Sequence, residues 1–128
     1  MKRLISIFAL IFCLFSNLAS SNEKVVNSLK EGGKLIFIRH AYAPGNGDPK
    51  NFNLKDCTTQ RNLSQDGINQ SKKIGLFFTQ NEIQIDKVLS SKWCRCKDTA
   101  KYAFSSYKTY DALNSFYDIR FAKNKTKQ

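Results

Sequence analysis

Two adjacent residues, Arg39 and His40, have the side chains best suited to chemistry in this sequence. They follow four consecutive apolar residues, Leu35 to Ile38, and His40 is the only histidine in the chain. A neutral imidazole is a good nucleophile, a guanidinium binds phosphate oxygens in bidentate fashion, and its fixed charge lowers the pKa of a neighbouring histidine. The pair therefore predicts attack on a phosphoryl group. A structural histidine at the end of a strand is the alternative.

A second polar stretch, Ser91 to Arg95, follows another segment that we predict to be a strand, 85–90. In open α/β sheets, ligands bind at the carboxyl ends of the strands. If the two strands are parallel, His40 and Arg95 lie at the same edge of the sheet. Arg95 is then the expected second arginine of the site.

The elements that must position these residues follow from hydrophobic periodicity and turn signals. Leu35 to Ile38 is typical of a strand buried on both faces. Ser64 is a good N-cap, and Asp66 suits the positive end of the helix that should follow it. The predicted helices are 23–30, 64–80 and 94–104, and the predicted strands are 34–39, 85–90 and, with a weaker pattern, 109–116. This order predicts an α/β fold with a parallel sheet and right-handed crossovers.

A long segment without clear periodicity, 41–57, lies between the first predicted strand and the second helix. Loops of this length in a compact domain usually bind ligands or cover a site. Gly45 and Gly47 lack the third glycine of a dinucleotide-binding fingerprint, and the chain has no Gly-Lys-Ser/Thr phosphate loop. We therefore expect no nucleotide cofactor.

The first 21 residues have the pattern of a secretory signal peptide. Lys2 and Arg3 form a positive start, Leu4 to Leu18 is almost wholly apolar, and the small residues 19–21 offer a cleavage site. A membrane anchor is the alternative, and the shortness of the apolar run disfavours it. We expect a mature protein that is periplasmic or secreted and that does not associate with the membrane after cleavage.

The net charge is +11, and loss of Lys2 and Arg3 would leave +9. Such a charge favours anionic partners. The lysines are scattered, however, and no basic run is interleaved with stacking aromatic residues, so nucleic acid is not the expected partner. Residues 119–128 are predicted to form a basic, polar tail.

Three cysteines remain after the predicted cleavage, namely Cys57, Cys94 and Cys96. An exported protein is expected to form a disulfide, and an odd number leaves one thiol. Cys94 and Cys96 have the wrong spacing for a zinc site, and no second histidine could complete one, so no metal is expected. We predict a disulfide between Cys57 and Cys94.

Three motifs follow one another along the chain: Arg-His-Ala at 39–41, Leu-Ser-x-x-Gly at 63–67, and residues 90–100 around Arg95. In this order they resemble the motifs of the histidine phosphatase superfamily, which includes the phosphoglycerate mutases, and above all its small exported bacterial phosphatases. The first resembles the nucleophile motif of that family, the second the motif that opens its next helix, and the third its second phosphate-binding motif with the helix that follows.

The resemblance implies a three-layer α/β/α fold with a mostly parallel central sheet, here within a domain covering 22–118. It implies that His40 attacks phosphorus and forms a phosphohistidine, which water hydrolyses, while Arg39 and Arg95 hold the phosphoryl oxygens. A small phosphorylated substrate or a phosphoprotein is the expected partner, with no cofactor. Asp118 is the expected general acid.

Asp48 is the other candidate for the acid, and for both aspartates the alternative is a solvated surface residue without a catalytic role. Ser91 and Thr99, within the second phosphate-binding motif, are expected to have structural roles.

The chain also departs from the family pattern. The family completes its phosphate pocket with a second histidine on a later strand, and this chain contains His40 alone. We therefore expect a chain truncated relative to the family, with a sheet that is incomplete at its C-terminal end. A non-catalytic phosphate- or anion-binding remnant is the alternative function.

Overall fold

The structure is a computed structural model, and it describes residues 22–115. The helices are α1 at 22–30, α2 at Gln65–Gln80 and α3 at Cys94–Phe104; the strands are β1 at Leu89–Ser90 and β2 at Lys108–Thr109; two short 3-10 helices span Cys57–Thr59 and Asp111–Leu113. The chain is thus a mixed α/β protein, which confirms the predicted class at this level. The predicted signal peptide, Asp118 and the tail 119–128 lie outside the described residues.

Helix α2 begins where its sequence predicts. The Ser64 side chain accepts a hydrogen bond from the Gly67 backbone N–H at 3.2 Å, and Asp66 lies in the first turn, where a negative charge interacts favourably with the helix dipole. The helix ends at Gln80, and the backbone N–H of Asn81 bonds back to it. The predicted second helix is therefore confirmed.

Helices α2 and α3 pack closely against each other. A side-chain carbon at Gly75 would lie 2.1 Å from the Ala103 carbonyl oxygen, so only glycine permits this approach. The Phe78 and Phe104 rings meet edge to face with centroids 5.3 Å apart, a favourable geometry for aromatic pairs. This pair of helices forms the frame on which the site residues are placed.

Strands β1 and β2 pair in parallel, with Leu89 opposite Lys108 and Ser90 opposite Thr109. The parallel pairing that the order of elements predicts is confirmed, but each strand is two residues long. The predicted third strand, 109–116, is largely wrong within the described residues, because a 3-10 helix at Asp111–Leu113 replaces it.

The prediction of a buried strand at 34–39 is wrong. This segment has no strand assignment in the structure, and Leu35 and Phe37 are 88% and 82% exposed. Gly32 and Gly33, with φ of 72° and 67°, end α1 and turn the chain into it. A cavity of about 590 Å³, lined by this segment and by β1, separates the two.

The physical reason is that an apolar run becomes a buried strand only when other segments pair with its backbone and cover its faces. Among residues 22–115, no segment forms a ladder with 34–39. In the same part of the chain, no helix is long and apolar enough to cross a membrane.

Candidate functional site

His40 follows the exposed segment and lies beside helix α3. The backbone N–H of the next residue, Ala41, donates to the Thr99 hydroxyl at 3.0 Å, and that hydroxyl donates to the Arg95 carbonyl at 2.7 Å. Thr99 therefore ties the backbone next to the histidine to the helix that carries Arg95. The structural role expected of Thr99 is thus to connect the backbone at Ala41 to helix α3.

Helix α2 holds the same backbone from the other side. The Tyr42 N–H donates to the Gln70 side chain at 2.9 Å, and the Tyr42 carbonyl accepts from the Ser64 N–H at 3.2 Å. A side-chain carbon at Gly67 would lie 2.0 Å from that same carbonyl oxygen. The glycine of the Leu-Ser-x-x-Gly motif is thus required by the closeness of α2 to the loop after His40.

The histidine ring has a defined tautomer. Its Nδ1 lies 2.8 Å from the Ala41 carbonyl oxygen, which can only accept, so Nδ1 carries the hydrogen. In the neutral ring, Nε2 then holds the lone pair. The arrangement leaves Nε2 as the ring nitrogen of His40 with an available lone pair.

The surroundings of His40 favour its neutral form. Burial lowers its pKa below the ordinary value, the Ala41 carbonyl opposes this effect, and the charges of three arginines lower the pKa further. Arg95 has the largest effect of the three, then Arg61, then Arg39. At neutral pH the ring is therefore uncharged and able to attack an electrophile.

Arg95 is buried, with 9% of its surface exposed. Its Nη1 donates to a carboxylate oxygen of Asp48 at 2.8 Å and, more weakly, to the Arg61 carbonyl at 3.4 Å. Its Nε is buried and has no hydrogen-bond partner among residues 22–115. A buried donor without a partner is costly, and a bound oxyanion would satisfy it.

Arg61 is a site residue that the sequence analysis missed. Its Nη1 donates to the carbonyls of Ala43 at 2.6 Å and Gly45 at 3.0 Å, and its Nε is also buried without a partner in the described part of the chain. Both guanidiniums are therefore anchored through Nη1 to the loop 43–48, and both leave Nε unpaired. The only signal in the sequence was that Arg61 lies just before the motif at 63–67. Its spacing from His40 did not indicate that the two residues would be close in the fold.

Asp48 lies at the centre of these contacts. One carboxylate oxygen accepts from Arg95 and from the Arg61 backbone N–H at 3.0 Å, and the other accepts from Trp93 Nε1 at 3.0 Å. Burial raises the pKa of Asp48, but these hydrogen bonds outweigh it and hold the pKa below its ordinary value. The interpretation of Asp48 as a solvated surface residue is wrong, and its ionised state makes it unsuited to act as a general acid.

Arg39 has a different environment from the other two arginines. Its side chain is exposed, although it precedes His40 directly in sequence. Its charge also has the smallest effect of the three on the histidine pKa. The fixed cations of the site are thus Arg95 and Arg61, with Arg39 at its exposed side.

Ser91 is buried and lies beside the free thiol of Cys96. Burial raises the pKa of Cys96, although a hydrogen bond with the Ser91 side chain opposes the shift. The thiol is therefore protonated at neutral pH, which makes it a poor nucleophile. Ser91 and Cys96 both line the cavity next to His40.

The predicted disulfide between Cys57 and Cys94 is confirmed, with the two Cα atoms 5.7 Å apart. It joins the loop before α2 to the first residue of α3, next to Arg95. The Gln60 side chain reinforces this junction by accepting from the Cys94 N–H at 2.9 Å. Among residues 22–115, no group of three or more His, Cys, Asp or Glu side chains could hold a metal ion.

The structure therefore brings Arg95, Arg61 and Asp48 into direct contact, and the charges of both arginines act on His40. Such a set can bind an oxyanion next to a neutral imidazole nitrogen. Comparison of the chain with family models, with curated proteins and with solved structures found no match.

Proposed function

We propose that this protein is a phosphatase that hydrolyses phosphate monoesters, or phosphohistidine, through a phosphohistidine on His40. The observation that supports the proposal most directly is the pairing of a neutral imidazole, fixed at Nδ1, with two anchored guanidiniums whose Nε atoms are unpaired. Phosphoryl transfer requires chiefly such positioning and charge stabilisation.

The chemical steps follow from this arrangement. Nε2 of His40 forms a bond to phosphorus while the bond from phosphorus to the leaving oxygen breaks, and the leaving oxygen takes up a proton. A water oxygen then attacks phosphorus, the nitrogen–phosphorus bond breaks, and inorganic phosphate and neutral His40 are released. Arg95 and Arg61, with Arg39 at the exposed side, stabilise the charge on the equatorial oxygens.

The charge balance supports a phosphate monoester as substrate. Arg39, Arg61 and Arg95 contribute three positive charges, and the ionised Asp48 neutralises one. The excess of two matches a monoester dianion better than a diester, which carries a single negative charge. A small phosphorylated molecule and a phosphoprotein both present this group.

We extend the proposal to the general acid, the architecture and the location. Asp118 remains the proposed acid, since the low pKa of Asp48 excludes that residue. A three-layer α/β/α arrangement around a mostly parallel sheet is the proposed architecture. The disulfide supports a periplasmic or secreted location, because such bonds persist in oxidising compartments.

Phosphate binding without catalysis is the second candidate function. Two observations favour it: the chain has no second histidine, and the apolar segment before His40 is separated from β1 by an open cavity. A nucleophile that follows a segment without strand partners among residues 22–115 is held from its C-terminal side only, and in-line attack depends strongly on placement.

One experiment separates the two candidates. We expect wild-type protein to hydrolyse p-nitrophenyl phosphate and to form an acid-labile phosphoryl adduct detectable by intact mass after rapid quenching. His40→Asn should abolish both, while calorimetry with inorganic phosphate should still detect binding. The exposed Lys73→Gln variant serves as the control and should match wild type. Phosphate binding without turnover in wild type would support the binding function, and neither turnover nor binding would contradict both.

A further inference from the structure

We propose that Asp48 is a positioning residue for Arg95: its carboxylate fixes the guanidinium so that the unpaired Nε faces the bound phosphoryl group. The proposal rests on the phosphatase function proposed above and assigns a role within the same site. Asp48 does not touch the reacting atoms in this scheme. It acts through the arginine.

The ion pair between Asp48 and Arg95 can fix the orientation of the guanidinium. Both side chains are largely buried, with 11% of Arg95 and 14% of Asp48 exposed. A buried charge-assisted hydrogen bond is short, directional and much less screened than a surface pair. Because Asp48 takes Nη1, the buried Nε is the donor of this guanidinium that is left without a partner among the described residues.

Besides the Arg61 backbone N–H, a group outside the phosphate site also holds Asp48. Trp93 donates from Nε1 to its second oxygen, and the Trp93 ring stacks on Phe52 with centroids 5.6 Å apart. Trp93 also directly precedes α3, with only 3% of its surface exposed. The Asp48 carboxylate therefore links the stacked Trp93 ring to the guanidinium of Arg95.

Loss of the carboxylate has two opposite consequences for a phosphate ligand. It removes a negative charge, which favours phosphate binding in the ground state, and it frees the guanidinium, which weakens stabilisation of the transition state. We therefore expect loss of the carboxylate to lower kcat while leaving the Kd for inorganic phosphate nearly unchanged. A residue that only supported folding would instead lower both through the fraction of folded protein.

The test compares Asp48→Asn with Asp111→Asn. Asp111 forms an exposed ion pair with Lys92 at 2.8 Å, so its variant removes a carboxylate from a basic partner without touching the site. For Asp48→Asn we expect kcat for p-nitrophenyl phosphate to fall by about 10- to 100-fold, while the Kd for inorganic phosphate changes by less than about threefold. Asp111→Asn should leave both values unchanged.

A double-mutant cycle with Arg95→Ala shows whether Asp48 acts through the arginine. In the Arg95→Ala background, Asp48→Asn should cost less than about twofold in kcat/KM, because the group that it positions is gone. An equal loss in both backgrounds, or an unchanged kcat in the single variant, would overturn the proposal. If Asp48→Asn does not fold, Asp48→Glu keeps the charge but displaces it, and kcat should fall because the guanidinium is displaced with it; an unchanged kcat would overturn the proposal.

Failure of the proposed function is distinguishable from failure of this inference. If wild type neither hydrolyses the ester nor binds phosphate, the proposed function is contradicted, and the ion pair between Asp48 and Arg95 has only a structural role. If wild type is active, the side-chain Nε–H resonance of Arg95, assigned through its loss in Arg95→Lys, provides a direct readout. It should be sharp in wild type and broadened in Asp48→Asn, and an unchanged signal would contradict the positioning role.

Discussion

His40 shows that spatial neighbours, more than neighbours in sequence, set the chemistry of a side chain. The adjacent Arg39 is exposed and has a smaller effect on the histidine pKa than Arg95 and Arg61, which are far away in sequence. Burial has the largest effect of all. Each of these contributions favours the neutral ring, which is the form that can attack phosphorus.

We predict that His40 titrates below the ordinary histidine pKa of about 6.5. Because it is the only histidine, imidazole NMR signals measure its titration without assignment ambiguity. Arg95→Gln should raise the His40 pKa more than Arg39→Gln does. An equal response to the two variants would contradict this order of contributions, and a wild-type value above 6.5 would contradict the lowered pKa.

The same shift predicts how stability depends on pH. The folded protein binds a proton at His40 less readily than the unfolded chain, so the unfolded state is favoured as pH falls through the ordinary histidine pKa. The contribution of His40 should therefore be neutral above that pKa and destabilising below it. His40→Asn removes the dependence, and urea denaturation of both proteins from pH 7.5 to 5 would measure it.

The sequence predicts only part of the site. His40 and Arg95 were singled out by their residue types and by the apolar segments before them, although the segment before His40 is not a strand in the structure. Arg61 and the role of Asp48 were not, because their contacts depend on how a long loop without periodicity folds back on the start of α3. The pairing of Cys57 with Cys94 was predictable, but the sequence did not show that this disulfide would join the loop before α2 to the start of α3.

At the scale of elements, helices were predicted better than strands. A helix is specified by residues within its own length, and Ser64 and the two glycines after α1 mark such ends. A strand is stable only through partners elsewhere in the chain. The apolar run at 34–39 has the local composition of a buried strand and lacks the partners among the described residues.

The contact of α2 with the loop after His40 predicts a cost for Gly67→Ala. Alanine normally favours a helix, by about 1 kcal/mol over glycine, but here its side chain would meet the Tyr42 carbonyl at 2.0 Å. We expect a net destabilisation of about 1–3 kcal/mol, as for an overpacked core, and a lower kcat because Tyr42 lies two residues after His40. Lys73→Ala, on the exposed face of α2, is the control for thermal denaturation and should be neutral or slightly stabilising.

At the scale of the whole molecule, the fold places a polar, tightly bonded site beside an unusually apolar surface. The site is fixed by a disulfide, a buried ion pair and hydrogen bonds from two helices. The neighbouring segment 35–38 has exposed apolar side chains and a backbone without ladder partners in the described part of the chain. Such a segment can pair with other chains, and proteins usually protect it.

This surface predicts self-association that does not depend on the site. Wild-type protein should associate increasingly with concentration, and added salt should not reverse this, because burial of apolar surface is not screened. The double variant Leu35→Lys/Phe37→Lys should remain monomeric in sedimentation velocity, since like charges on an exposed edge oppose pairing. Because both side chains are more than four-fifths exposed, the variant should unfold at the same urea concentration as wild type. Loss of stability in the variant, or a monomeric wild type at high concentration, would show instead that this segment is covered within a single molecule.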